Sequence, residues 1–316
     1  MKGEKETIAF LFPGQGSQTV GMGRELSEMF AAARDVFAEA HEVLGFSLSR
    51  LCFSGPEEEL RLTMNTQPAI LATSVATLRV LEQETGLRPL YVAGHSLGEY
   101  TALVAAGALT LRDALLVVRE RGRLMQEAVP VGEGTMAAIF GLSQEKVEEV
   151  CAAVARGEVV TPANLNGAGQ IVVAGHREAV HRAVALAKEQ GAKRAIELTV
   201  SAPFHCPLMT PAAAGLAKVL ERVAVHKLKV GVVTNLEARV NHEAARVKEL
   251  LVKQVTNPVR WEESVRELES LGCSHMVEVG PGRVLAGLVK RISPRVSCFS
   301  VGNPQTLREV QTALKV

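Results

Sequence analysis

Gly94-His95-Ser96-Leu97-Gly98 is a G-x-S-x-G pentapeptide, and its setting makes Ser96 a candidate nucleophile. Leu90-Tyr91-Val92-Ala93 reads as a short buried strand before it, and Glu99 to Leu109 as a helix rich in Ala and Leu after it. A serine on so sharp a strand-to-helix turn has its hydroxyl pushed out at the end of a sheet. The glycines allow a tight approach, and the helix N-terminus points free N–H groups at the same spot. That is the geometry of acyl transfer. A capping serine in a Gly-rich turn would give the same letters, so a base is required as well.

Of the eight histidines, His41, His176, His181, His226, His242 and His275 fall on predicted helix surfaces or turns, where a solvated ring is the default. His205 differs. It stands in Ser201-Ala202-Pro203-Phe204-His205-Cys206, just after a predicted strand, and strand ends in α/β sheets are where sites form. It is the candidate base, against a satisfied loop histidine. A carboxylate to orient it is harder to find. The chain has two aspartates, Asp35 and Asp113, and both lie in predicted amphipathic helices. A Ser-His-Asp triad therefore has poor candidates for its third member. A glutamate could serve, but a neutral acceptor, an amide side chain or a backbone carbonyl, fits better. Gln254 and Asn257, near Pro258, are its sources.

The elements that must hold these groups alternate apolar strand-like runs with longer helical patterns, which predicts an α/β fold with a mostly parallel sheet. Strands are expected over 7–12, 90–93, 230–235 and 276–279, and helices over 67–84, 99–109, 112–128, 244–254, 261–271 and 283–292. Residues 131–200 look self-contained. A strand over 134–142, a Ser143-capped helix to 155, strands over 159–164 and 170–174, a helix over 178–190 and a strand over 194–200 follow the order β-α-β-β-α-β, the ferredoxin-like split βαβ. This segment is expected to be a small domain inserted into a larger one made of 1–130 and 201–316.

With 316 residues, 47% hydrophobic and 22% charged, the chain is long enough for one large core or two domains. A net charge of +1 and the lack of a dense Lys/Arg tract give no footprint for nucleic acid. The start, Met1 to Glu6, carries charges of both signs and no apolar core, so a signal peptide is not expected, and the most apolar run, Tyr91 to Leu111, holds His95 and Glu99 and reads as buried strand plus helix, so no membrane association is expected. Five cysteines, odd in number and without C-x-x-C, argue against a disulfide framework or structural zinc and fit a reducing cytoplasm. Gly14-Gln15-Gly16 is not a nucleotide loop, since Thr19 stands where a third glycine would be and no Walker lysine follows.

Several segments together carry a family resemblance. Phe12-Pro13-Gly14-Gln15-Gly16-Ser17-Gln18 follows the first strand, and Thr66-Gln67-Pro68-Ala69 opens a later helix. Gly94 to Glu99, Arg121-Gly122, Ala202 to His205, Gln254 to Val259 and Val279-Gly280-Pro281-Gly282 follow. In this order and spacing, from about residue 7 to about 292, they resemble the malonyl-CoA:acyl carrier protein transacylases, the acyltransferases of type II fatty acid synthesis. The resemblance implies an α/β-hydrolase-like large domain carrying the ferredoxin-like insertion. It implies Ser96 as nucleophile, His205 as base, the backbone N–H groups of Gln15 and Leu97 as oxyanion hole, and the main-chain carbonyl of Gln254 as orienter of His205. Arg121 would hold the malonyl carboxylate. Read alone, an arginine on an apolar-faced helix is structural. A guanidinium, however, binds a carboxylate through two parallel hydrogen bonds, which lysine cannot do. His95, beside the nucleophile, joins Arg121 as a substrate-binding candidate. Phe204 resembles the malonyl-selective pattern rather than the methylmalonyl one, with simple core packing as its competing reading.

The family's chemistry is a ping-pong cycle: malonyl passes from malonyl-CoA to the serine, then to the phosphopantetheine thiol of acyl carrier protein, with no cofactor bound by the enzyme. The partners implied are malonyl-CoA and an acidic acyl carrier protein, and the family usually works as a monomer. Lys290 and Arg291 are candidates for a basic rim that meets the carrier protein, with Lys193 and Arg194 as a second pair and a merely solvated helix face as the alternative. The competing functions are a serine esterase or thioesterase, a free-standing polyketide acyltransferase, and a non-catalytic scaffold.

Overall fold

The computed structural model describes residues 7–316. Ten strands, β1 (Ile8–Phe12), β2 (Tyr91–Gly94), β3 (Gly134–Phe140), β4 (Val160–Leu165), β5 (Gln170–His176), β6 (Arg194–Glu197), β7 (Gly231–Val233), β8 (Val240–Asn241), β9 (His275–Val279) and β10 (Ser297–Val301), form two sheets. One has the order β10-β9-β1-β2-β7-β8 and is parallel except at its β7–β8 edge. The other, β4-β5-β3-β6, is antiparallel throughout.

The parallel sheet is apolar on both faces, as a sheet covered by helices on each side must be. Side chains alternate across a strand. In β1, accordingly, Ile8, Phe10 and Phe12 enter one core and Ala9 and Leu11 the other. The first core packs against the long helices Thr63–Thr85 and Leu111–Glu127, the second against Trp261–Ser270 and Val284–Ile292. The antiparallel sheet has a core of its own, formed by Ala137, Ile139 and Val173 with Val147, Val150, Val180 and Ala183 of its two helices. The antiparallel sheet is tied to the loop between the helices Ala244–Gln254 and Trp261–Ser270 by one backbone bridge: the Leu165 N–H donates to the Val259 carbonyl at 2.9 Å, and the Val259 N–H to the Ala163 carbonyl at 2.9 Å.

Of the boundaries that differ from those expected, three bear on the site. The helix expected over 67–84 begins at Thr63, ahead of Pro68, because Asn65 and Thr66 donate to the Leu62 carbonyl and start the helix upstream. Gln67 therefore lies inside a helix rather than at its mouth. The helix after Ser96 ends at Ala105, where Gly107 takes φ 72° and turns the chain. The strand expected over 194–200 stops at Glu197, and Leu198 to Val200 turn to line the cavity described next.

Candidate active site

Ser96 stands where β2 ends. The His95 N–H donates to the Phe12 carbonyl at 3.0 Å, which ties this turn to β1. A Cβ on Gly94 would run into the Gly98 carbonyl, and one on Gly98 into that of Phe12. Only glycines let strand and helix meet this closely, and Ser96 accepts φ 52° as a result. The Ser96 N–H donates to Asn235 Oδ1 at 2.6 Å, and Asn235 Nδ2 donates to the Gly94 carbonyl at 2.6 Å, so one buried amide clamps the turn from the end of β7.

His205, 3% exposed, also has a positive φ of 60°. Its Nε2 is 2.7 Å from Ser96 Oγ, and its Nδ1 is 2.8 Å from the Gln254 carbonyl. A carbonyl can only accept, so Nδ1 carries the proton and Nε2 is left with a free lone pair toward the serine hydroxyl. The Gln254 carbonyl is available because it closes the helix Ala244–Gln254, whose last carbonyls lack partners within the helix. The Asn257 side chain is turned away, donating to the Lys253 carbonyl at 2.8 Å.

Arg121 is 2% exposed. Its helix meets Thr63–Thr85 closely at Gly122, where a Cβ would lie 2.7 Å from Met64 Cα and from the Thr63 carbonyl oxygen. From there Nη1 donates to Gln67 Oε1 at 2.8 Å, and Nη2 to Gln254 Oε1 at 2.9 Å and to Ser96 Oγ at 3.1 Å. Its Nε is buried without an acceptor, and the guanidinium sits over the Tyr100 ring, 5.4 Å from the centroid. All three acceptors are uncharged, so no carboxylate directly neutralises this buried cation.

A cavity of about 290 Å³ opens onto Ser96 and His205. Gln15, His95 and Phe204 line it on the side of the parallel sheet, and Met136 and Asn164 on the side of the antiparallel sheet. His95 Nε2 lies 2.9 Å from Asn166 Oδ1, its ring packs against Trp261, and burial lowers its basicity. Leu97 is buried at the start of the helix Gly98–Ala105. Among the described residues, neither the Gln15 nor the Leu97 N–H donates to another main-chain carbonyl. Lys290 and Arg291 lie outside the cavity, exposed in the last turn of Val284–Ile292, and Arg291 Nη2 reaches Gln170 Oε1 of β5 at 3.2 Å.

A hydroxyl, a neutral imidazole and a cation with no carboxylate bonded to it thus meet at one oxygen, a set suited to acyl transfer of an anionic acyl group. Comparison with known proteins agrees: the acyl transferase domain family matches residues 9–302. The chain belongs to the acyl transferase family. The malonyl CoA-acyl carrier protein transacylase of Bacillus subtilis is 50% identical over 309 residues, which span 98% of this chain and 97% of that protein. The structure of the malonyl CoA-acyl carrier protein transacylase from Coxiella burnetii matches with a TM-score of 0.96 at 43% identity, over 98% of each chain. A malonyl-transacylase solved in complex with a type II PKS acyl-carrier protein matches with a TM-score of 0.95 at 46% identity, over 98% of this chain and 100% of that one.

Four residues of this acyltransferase's site receive no role from the sequence alone. Asn235, Gln67, Glu99 and Asn166 are uncharged or isolated polar groups whose partners lie tens to more than a hundred positions away. Glu99 left the best trace, an acid in an otherwise apolar helix one residue after the pentapeptide.

Burial, and then the nearby Arg121 charge, pull the His205 pKa down to about 3. The acyltransferase should therefore keep its imidazole neutral well into acid. Single-turnover acylation measured against pH should show no loss attributable to a histidine between pH 7 and 5. A midpoint near 6.5 would contradict this. The same shift has a stability sign. Below about 6.5 the unfolded chain binds a proton that the folded one refuses until about 3, so this group makes stability fall as pH drops through that window.

Proposed function

We propose that this acyltransferase moves a malonyl group from malonyl-CoA to the phosphopantetheine thiol of acyl carrier protein through a malonyl-serine, supplying fatty acid elongation. His205 Nε2 takes the Ser96 proton as Oγ attacks the thioester carbonyl. The oxyanion is met by the Gln15 and Leu97 N–H groups, each worth about a hundredfold or more in rate. The CoA thiolate leaves with the proton from His205. In the second half the carrier thiol gives its proton to His205 and attacks the malonyl-serine, and Ser96 leaves as the alcohol. Arg121 grips the free carboxylate, with His95 and Phe204 shaping the rest of the pocket. No bound cofactor enters these steps, because the donor thioester and then the malonyl-serine ester each carry their own leaving group.

The observation that carries the reading is the Arg121 guanidinium, 3.1 Å from the same Ser96 oxygen that His205 faces. An esterase acting on neutral acyl groups gains nothing from a buried cation there, whereas a malonyl carboxylate supplies the directly bonded anion that the guanidinium lacks. The names of the relatives support the same donor and acceptor. The test is intact-protein mass after brief exposure to malonyl-CoA without carrier protein. A gain of one malonyl group supports a waiting acyl-enzyme. Free malonate with no gain points to a thioesterase.

In the same reading, residues 1–130 and 201–316 form an α/β-hydrolase-like unit and 131–200 a ferredoxin-like one. The strand order β4-β5-β3-β6 with one helix after β3 and one after β5 supports the latter. The enzyme acts as a cytoplasmic monomer, and Lys290 and Arg291 meet the acidic carrier at the seam between the sheets. Charge reversal at both should raise the apparent KM for carrier protein roughly tenfold at low salt and leave malonyl-CoA kinetics unchanged. Equal effects on both substrates would refute the rim.

A further inference from the structure

Glu99 is 2% exposed, in the first turn of Gly98–Ala105, and touches neither Ser96 Oγ nor His205. Its Oε2 accepts from the Asn235 N–H at 3.0 Å and from Gln254 Nε2 at 2.7 Å. Gln254 is the residue everything else leans on. Its carbonyl holds His205, its Oε1 accepts from Arg121 at 2.9 Å, and its Nε2 also reaches the Ser96 carbonyl at 3.1 Å.

A carboxamide has a donor end and an acceptor end of nearly the same shape. Turned over, Gln254 would press its NH2 against the guanidinium and its oxygen against the Glu99 carboxylate and the Ser96 carbonyl. An acceptor at position 99 therefore decides which way the amide points, and the amide decides where Arg121 Nη2 sits. We propose that Glu99 is a positioning residue for acyl selectivity: acting through the Gln254 carboxamide, it holds the Arg121 guanidinium where an acyl carboxylate is gripped. The proposal rests on the reading of Arg121 given above.

Burial raises the Glu99 carboxyl to about 7, against the lowering pull of its bonds to Gln254 and Asn235 and of the Arg121 charge. Proton or no proton, one oxygen remains an acceptor for Gln254. The position of that acceptor, rather than its full charge, is what the arrangement requires.

The test compares serine acylation by malonyl-CoA and by acetyl-CoA, read as intact mass in single turnovers, for Glu99→Gln, Glu99→Asp, Glu99→Met and Arg121→Met. Glu99→Gln keeps an acceptor at the same reach, and its malonyl-to-acetyl rate ratio should stay within about twofold of the parent. Glu99→Asp withdraws the acceptor by one methylene, and Glu99→Met removes it. Both should lower the ratio by about tenfold or more, the worth of a hydrogen bond to a charged group. A merely structural role would slow both substrates alike and leave the ratio unmoved. Should Glu99→Met fail to fold, the Gln and Asp variants carry the comparison. A ratio unchanged in Glu99→Asp and lost in Arg121→Met overturns the role of Glu99 alone. A ratio unchanged in Arg121→Met overturns the reading of Arg121 itself.

Discussion

Ser96→Ala is expected to show no malonyl mass gain and to transfer malonyl at least about ten-thousandfold more slowly, the scale on which a catalytic serine is lost. The reason is local. His205 Nε2 faces one hydroxyl, at 2.7 Å, and alanine leaves it nothing to deprotonate. No other nucleophile is ready to substitute. Burial pushes the thiols of Cys52, Cys151 and Cys298 up to about 12 and those of Cys206 and Cys273 to about 11, so at neutral pH they stay protonated. Alanine accepts the backbone of position 96 on much the same terms as serine, so the thermal midpoint should hardly move. A malonyl mass retained on the alanine variant would place the acyl group elsewhere and end the proposed mechanism.

Arg121→Met should lower acylation by malonyl-CoA about a hundredfold to a thousandfold, the cost of leaving one buried charge without its partner. Acylation by acetyl-CoA should be spared. Arg121→Lys should rescue little, since a single ammonium cannot make the two parallel hydrogen bonds of a guanidinium to a carboxylate. Stability gives a second readout. In the free enzyme this cation has three neutral acceptors and a buried Nε with none, so an apolar side chain of similar length should not destabilise the fold severely. Equal slowing of malonyl and acetyl loading would show that Arg121 supports the serine and not the acyl group.

The strands and helices nearest the site were legible because their patterns are long and unbroken. The five-residue apolar run of β1 and the helix Ala244–Gln254 are found where periodicity puts them. The strand β10, Ser297-Cys298-Phe299-Ser300-Val301, mixes polar residues into an edge position, and the two-residue β8 is too short to carry a pattern. Ser96 announces itself by its glycines, which are a local constraint. The pairing of Gln254 with Arg121, 133 positions apart, is made by the fold and leaves no local mark. The lack of suitable aspartates did point to a neutral partner for His205, and a main-chain carbonyl holds its ring. The carboxylate two bonds further back, Glu99, had no spacing rule to reveal it.

Six non-glycine residues among those described have positive φ, and Ser96 and His205 are two of them. A left-handed backbone costs a residue with a side chain roughly 1 kcal/mol, and glycine almost nothing. At position 96 the backbone therefore favours one residue and the proposed chemistry another. Glycine at position 96 would relieve the backbone but remove the proposed nucleophile, while glycine at position 205 would also empty a buried site and strip the Gln254 carbonyl of its partner. Engineering for endurance belongs instead at Arg156, Ala168 and Ala238, where the same relief removes no reacting group.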